Sequence, residues 1–75
     1  MEKRLSELIA GETGIIEKFE KDDIYLKLME MGCVPGEQVS VENIAPLGDP
    51  ISIKVAGYLL SMRKDEAAMI WVKKI

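Results

Sequence analysis

The segment ISIKVAGYLLSM, residues 51–62, constrains the fold more than any other part of the chain. Residues 51–55 alternate between apolar and polar side chains, which is the two-residue period of a half-buried β-strand. Ala56-Gly57 then separates this run from a second apolar run, which alternates less cleanly. Two such runs joined by two turn-forming residues are typical of a β-hairpin. The sequence therefore predicts antiparallel strands over residues 51–55 and 58–62.

Three more strands are predicted from short runs rich in β-branched and aromatic residues. They lie at residues 13–19, 39–42 and 69–73. The segment ahead of the first of them suits a short helical turn, and residues 63–68 suit a turn or one turn of helix. A chain of 75 residues holds one domain, residues 1–75. The expected architecture is mainly β with one short helix, a small closed or half-closed barrel of five strands, since closure of the sheet removes exposed strand edges.

The single helix is predicted over residues 24–31, where apolar residues recur at helical spacing. Asp22 or Asp23 is the expected N-cap, because a short polar side chain accepts hydrogen bonds from the first backbone N–H groups of a helix. Gly32 is the expected end of the helix. The predicted core combines one face of this helix with apolar residues of the strands and the N-terminal segment. It consists of Leu5, Leu8, Ile16, Leu28, Met31, Val39, Val41, Ile51, Ile53, Val55, Ile70 and Val72.

The residues needed for most catalytic and metal sites are missing. The chain contains no histidine, so the single cysteine, Cys33, has no histidine to activate it. Met29 and Met31 offer sulfur atoms, but on a helix they lie about 200° apart around the axis and cannot hold one ion together. We therefore expect no enzymatic activity, no cofactor and no metal site, with Cys33 as a bystander. A dimer that pools Cys33 from two copies remains the one arrangement in which this cysteine would bind a metal.

The charge and hydropathy of the chain exclude several classes of partner. A formal net charge of -3 argues against nucleic acid, although residues 51–75 are locally basic. The apolar runs are far shorter than the roughly 18 residues of a membrane helix, and the charged N-terminus does not have the form of a signal peptide. One cysteine forms no internal disulfide. We predict a cytoplasmic protein without direct membrane insertion and without a small-molecule substrate.

Four motifs follow one another in a fixed order. They are L-x-x-L-x-x-G-x-x-G-x-I at residues 5–16, M-G-x-x-P-G at 31–36, P-x-G-D-P-I at 46–51 and M-R-x-x-E-A-x-x-I-x-V at 62–72. In this order they resemble the FeoA family, small cytosolic proteins of bacterial ferrous iron transport. The resemblance extends over essentially the whole chain.

This resemblance implies an SH3-like barrel, no enzymatic activity and a role in Fe(II) uptake through the membrane transporter FeoB, whose cytoplasmic region is the expected partner. A similar domain occurs at the C-terminus of metal-dependent, iron-responsive transcriptional repressors, which need a separate DNA-binding domain. Because the chain starts with Met1 and has no room for a helix-turn-helix, the sequence favours the transport role. A metal-binding sensor or carrier is the third interpretation.

The residues expected to contact a partner lie on the predicted helix and on the last strand. Leu26 falls opposite the core-facing side of the helix, between Lys27 and Glu30, and Met29 lies beside that side. A partly apolar helix rim of this kind docks into grooves of other proteins. Trp71 points away from the core-facing residues of its strand, and tryptophan is enriched at the energetic centres of interfaces. Packing beneath the N-terminal segment is the alternative for Trp71.

Overall fold

Six β-strands and two short helices make up residues 2–75, which the computed structural model describes apart from the side chain of Asp22. The strands are β1 (Glu2–Arg4), β2 (Thr13–Phe19), β3 (Gln38–Ile44), β4 (Ile51–Val55), β5 (Tyr58–Met62) and β6 (Ile70–Lys74). The helices are α1 (Tyr25–Glu30) and α2 (Lys64–Ala67), and single turns of 3₁₀ helix lie at Leu5–Glu7 and Asp22–Ile24. All strand pairs are antiparallel, and the order across the sheet is β1-β6-β2-β3-β4-β5.

The hairpin predicted from the alternation of residues 51–62 is confirmed. Strands β4 and β5 pair from Ile51 opposite Met62 to Val55 opposite Tyr58, without a bulge. The two turn residues have positive φ, 51° at Ala56 and 83° at Gly57. Positive φ at both central residues is what a type I′ turn requires, and this turn matches the natural twist of the two strands.

The structure has one strand more than the five predicted. The additional strand, β1, pairs with β6 from Glu2 opposite Lys73 to Arg4 opposite Trp71. Its three charged residues show no alternation and have low preference for strands, so no sequence signal marks it. It forms because β6 would otherwise leave a row of backbone N–H and C=O groups unpaired. The mainly β architecture stands, with six strands in place of five.

The predicted core is confirmed at all but one position. Within residues 2–75, the buried apolar residues include every predicted core residue except Met31, which is half-buried and packs against them. Three buried apolar side chains were not predicted: those of Cys33, Met62 and Ala67. Each lies at the end of a strand or helix or just beyond it. There the spacing of apolar residues along the sequence no longer indicates which way a side chain points. Cys33 is therefore a core residue.

The helix α1 begins later than predicted. Its first residue is Tyr25, and its N-cap position holds Ile24, which makes no capping hydrogen bond with its side chain. The prediction of Asp22 or Asp23 as the N-cap is therefore wrong, because the 3₁₀ turn that contains both residues leads directly into the helix. The helix ends before Gly32, as predicted. No helix within residues 2–75 is long and apolar enough to cross a membrane.

A carboxylate from the loop between β3 and β4 caps α2. Asp49 Oδ1 accepts a hydrogen bond of 2.9 Å from the backbone N–H of Lys64, the first residue of α2. Glu66 Oε1 accepts a second one, of 3.1 Å, from the N–H of Arg63. A short helix leaves its first N–H groups without partners of its own, so these two carboxylates satisfy donors that would otherwise lack one. Asp49 thereby joins the loop to the helix.

Replacement of Asp49 by Ala is expected to lower the free energy of unfolding by about 0.5–2 kcal/mol, since the Lys64 N–H loses its acceptor. Asp49→Asn keeps an oxygen acceptor and is expected to retain most of the stability. Urea denaturation followed by circular dichroism measures both. Asp23→Ala removes an exposed carboxylate and serves as the control, with a change within about 0.5 kcal/mol. An Asp49→Ala variant as stable as the original chain would contradict the capping role.

Candidate functional site

The helix α1 is attached to the core on one side and exposed on the other. Leu28 is fully buried, whereas Leu26 is 68% exposed. The backbone N–H of Cys33 donates a hydrogen bond of 3.0 Å to the carbonyl of Leu28, so the chain turns sharply at the end of the helix. Burial of Leu28 and this turn fix the position of α1. The opposite side of the helix is therefore presented to solvent on a rigid support.

The exposed side of α1 carries an apolar patch formed by Tyr25, Leu26 and Met29, which we call the α1 patch. Residues three and four apart are neighbours on a helix, so Met29 adjoins both others, and the exposed Glu30 adjoins Leu26. Tyr25 is 42% exposed and Met29 is half-buried. The ring of Tyr25 packs edge-on against Phe19, with centroids 5.1 Å apart and an interplanar angle of 84°. This contact orients Tyr25.

Lys27 joins α1 to α2. Its Nζ lies 2.7 Å from Glu66 Oε2, while the other oxygen of that carboxylate caps α2. The hydrogen bond from Lys27, and then the one from the backbone of Arg63, lower the pKa of Glu66 below its ordinary value. The ionised carboxylate thus fixes the two helices relative to each other. Lys27, a predicted partner contact, has this intramolecular partner although its side chain is 65% exposed.

Trp71 belongs to a different cluster, whose members come from β1, β2 and the residue after β2. Its Nε1–H donates a hydrogen bond to Glu20 Oε2. The guanidinium of Arg4 lies 4.5 Å from the ring centroid, and Lys18 Nζ lies 6.0 Å from it. Arg4 also donates a hydrogen bond of 2.7 Å to the carbonyl of Ala68. Four of the five predicted contact residues therefore lie on α1, whereas Trp71 of β6 contacts a different set of residues, Arg4, Lys18 and Glu20.

The geometry around Cys33 does not favour a metal site. Cys33 has no exposed surface, and burial raises the pKa of its thiol to about 11. A metal binds the thiolate and must displace the thiol proton, and burial makes that proton harder to remove. Among the side chains that the structure describes, which exclude that of Asp22, no three acidic or cysteine side chains lie close enough together to hold a metal ion. Pooling of Cys33 from two copies would require the thiol at the surface, whereas the fold places it inside.

Two residues that shape this site were not among the predicted contacts. Glu66 was part of a motif, but its pairing with Lys27 spans 39 positions in the sequence, so no local signal indicates it. Tyr25 becomes part of the patch because its ring packs edge-on against Phe19 while 42% of the residue stays exposed. A glutamate three residues after Arg63 was the available signal for the capping role of Glu66.

Comparison with protein-family models matches residues 3–74 to the FeoA domain. The chain belongs to the FeoA family. A similar curated protein from Porphyromonas gingivalis, the Fe(2+) transport protein A/Fe(2+) transporter FeoB fusion protein, is 38% identical to it over 73 residues. That match covers 96% of this FeoA chain but only 9% of the length of the fusion protein.

Solved structures share the fold over nearly the whole chain. FeoA of Stenotrophomonas maltophilia, solved in complex with zinc and described as a procaryotic SH3 domain protein, is 30% identical, with a TM-score of 0.78 over 92% of this chain and 87% of that one. IdeR of T. acidophilum is 26% identical, with a TM-score of 0.84 over 99% of this chain and 34% of that one. This FeoA chain therefore has an SH3-like fold, with the two short helices α1 and α2 beside its strands.

Lys27→Met is expected to lower the free energy of unfolding by about 0.2–1 kcal/mol at neutral pH, because it removes the ammonium group while keeping an aliphatic chain. The pKa of Glu66 is lowered in the folded state, so the pair stabilises above the unfolded-state pKa, and this stabilisation is lost as the pH falls through the folded-state value. The difference between the two chains should therefore disappear in acid. Urea denaturation at neutral and acidic pH measures it.

The control for Lys27→Met is Lys21→Met, which removes the charge of another exposed lysine near α1. Titration of Glu66 by NMR gives a second readout, in which Lys27→Met raises the pKa of Glu66 and Lys21→Met leaves it in place. A pKa of Glu66 that does not change in Lys27→Met would contradict the pairing.

Burial of Cys33 makes a prediction for alkaline pH. The pKa of its thiol is raised from an ordinary 9.0 to about 11, so its contribution to stability is complete below 9.0 and is lost as the pH rises through about 11. Over that interval the original chain should lose up to about 1.4 kcal/mol per pH unit more than Cys33→Ala. Denaturation of both chains across this range tests it. Parallel pH profiles would contradict a buried, protonated thiol.

Proposed function

We propose that this FeoA chain is a cytoplasmic accessory protein of ferrous iron transport, which binds the cytoplasmic part of an FeoB transporter through the α1 patch. It acts as a protein-interaction module and not as an enzyme. The observation that carries the proposal is the relative from P. gingivalis, which is named as a fusion of Fe(2+) transport protein A with FeoB. Fusion keeps two components at high effective concentration, which supports direct contact between the corresponding separate chains.

The α1 patch suits this role because its apolar side chains are exposed on a rigid element. The buried Leu28 and the ion pair between Lys27 and Glu66 hold the helix in place before any partner arrives. A pre-ordered helix loses little conformational freedom on binding. Apolar helix residues three and four apart are a common way to fill a groove, and Glu30 provides a polar rim. The ring of Trp71 already contacts Arg4 within the chain, so we place the primary contact on α1.

Leu26→Asp is expected to leave the fold intact and to weaken binding to the purified cytoplasmic part of FeoB from the same organism by at least about tenfold. The reason is that the substitution places a charge where an apolar side chain would be buried against the partner. Isothermal titration calorimetry measures the affinity, and circular dichroism measures the stability.

The control for Leu26→Asp is Leu47→Asp, which makes the same change at a leucine that is 96% exposed in the loop between β3 and β4. This control should bind like the original chain. Equal losses in both variants would mean that added charge alone weakens binding. Unchanged affinity of Leu26→Asp would move the site off the α1 patch, and absence of binding by the original chain would contradict the proposal itself.

A second candidate function rests on the likeness to IdeR, which covers 99% of this chain and 34% of that protein. In this alternative the domain belongs to a metal-dependent repressor whose DNA-binding residues lie elsewhere in the same protein. A net charge of -3 does not favour DNA contact by the domain itself. The coding sequence around the domain distinguishes the two candidates. A helix-turn-helix in the same reading frame favours the repressor, whereas a separate neighbouring gene for FeoB favours transport.

A further inference from the structure

The edge strand β5 lacks the features that normally protect the edge of a sheet. Within residues 2–75 the sheet has β1 at one edge and β5 at the other. The strand β1 is three residues long and all three are charged, which discourages pairing with another chain. The strand β5 has five residues, YLLSM, and none carries a charge. Of the two edges, β5 is therefore the one open to a further strand.

The backbone groups that face this edge follow from the geometry of the hairpin. In a two-residue hairpin the flanking residues, here Val55 and Tyr58, exchange both hydrogen bonds with each other. Alternation along β5 then directs the backbone of Leu60 toward β4, and that of Leu59 and Ser61 toward the open edge. In the described part of the chain, no hydrogen bond reaches these outward groups from another element.

Side chains around the edge are apolar as well. Leu59 is 70% exposed and Tyr58 is 68% exposed. Leu60 is half-buried and packs against the core. Unpaired backbone groups together with exposed apolar side chains form the combination that recruits another strand.

We propose that β5 pairs antiparallel with β5 of a second copy of this chain, around a two-fold axis at Leu60. In this register Leu59 of each copy lies opposite Ser61 of the other. Both residues have outward-facing backbone groups, so each such pair exchanges two hydrogen bonds. The two Leu60 side chains adjoin each other above the cores. The result is one continuous antiparallel sheet across two molecules, with the same patch used by both copies.

The lack of charge on β5 is the reason to name a second copy as the occupant. A strand that pairs with itself across a two-fold axis brings like charges close together if it carries any. In the proposed register the first charged residue after β5, Arg63, lies opposite Gly57 of the other copy. Lys54 is the cross-strand neighbour of Leu59, so the Lys54 side chains of the two copies do not lie directly across from each other. A five-residue contact buries less than the ~800 Å² per partner of a standard interface, so we expect a weak dimer.

Sedimentation equilibrium of the 75-residue chain from roughly 10 µM to roughly 1 mM tests the proposal. The apparent mass should rise from 8.4 kDa toward twice that value. Ser61→Pro removes the outward N–H without breaking the pairing with β4, and should weaken self-association at least about tenfold. Leu59→Glu places the two introduced carboxylates diagonally across the two-fold axis and should also weaken self-association. Within each copy, the new glutamate lies opposite Lys54 and pairs with it.

The matched controls are Ser61→Ala, which keeps the N–H, and Leu47→Glu, which makes the same change at an exposed loop leucine. Both should associate like the original chain, and circular dichroism should show all four variants folded. If Ser61→Pro fails to fold, the comparison of Leu59→Glu with its control Leu47→Glu tests the proposal. A mass of 8.4 kDa throughout would overturn the proposal, as would association that survives Leu59→Glu or is lost equally in Leu47→Glu.

Discussion

The antiparallel pairing of β2 with β6 joins the two ends of the chain, and the other elements depend on it. It extends from Gly14 opposite Lys74 to Phe19 opposite Ile70. A Cβ atom on Gly14 would lie 3.1 Å from the carbonyl oxygen of Lys73 and 3.2 Å from the side chain of Val72, so a larger residue would push β6 away. Once β6 is in place, its other side receives β1, and β2 receives β3. Gly14 therefore lets β6 lie close against β2.

The helices take their positions from this sheet through three polar contacts. Arg4 of β1 donates to the carbonyl of Ala68 just after α2, and Asp49 caps the start of α2. Glu66 then connects α2 to α1 by its ion pair with Lys27. Each contact is modest by itself, but together they orient a six-residue helix that would not be stable alone. The exposed position of Leu26 is thus a property of the whole fold and not of the helix.

The two surfaces proposed for binding differ in kind. The α1 patch offers apolar side chains on a helix that the core already holds in place, which favours a groove on a partner protein. The β5 edge offers backbone hydrogen bonds along a neutral strand, which favours another strand. Contact at one surface does not use the residues of the other. The two proposed interactions, with a different protein and with a second copy of the chain, would therefore use separate sets of residues.

Local patterns in the sequence determined much of this protein, because strand alternation, helical spacing and turn residues act over a few positions. They indicate the hairpin of residues 51–62, the end of α1 at Gly32, nearly the whole core and the exposure of Leu26. Only the tertiary structure determined that residues 2–4 form the strand β1. This strand pairs with the backbone of β6, and the charged side chains of β1 do not indicate that pairing. The tertiary structure alone also decided the burial of Cys33, the cap from Asp49 and the contacts of Trp71 with Arg4 and Glu20. These features join residues far apart in the chain, and neither spacing nor composition carries information about which distant groups a fold brings together.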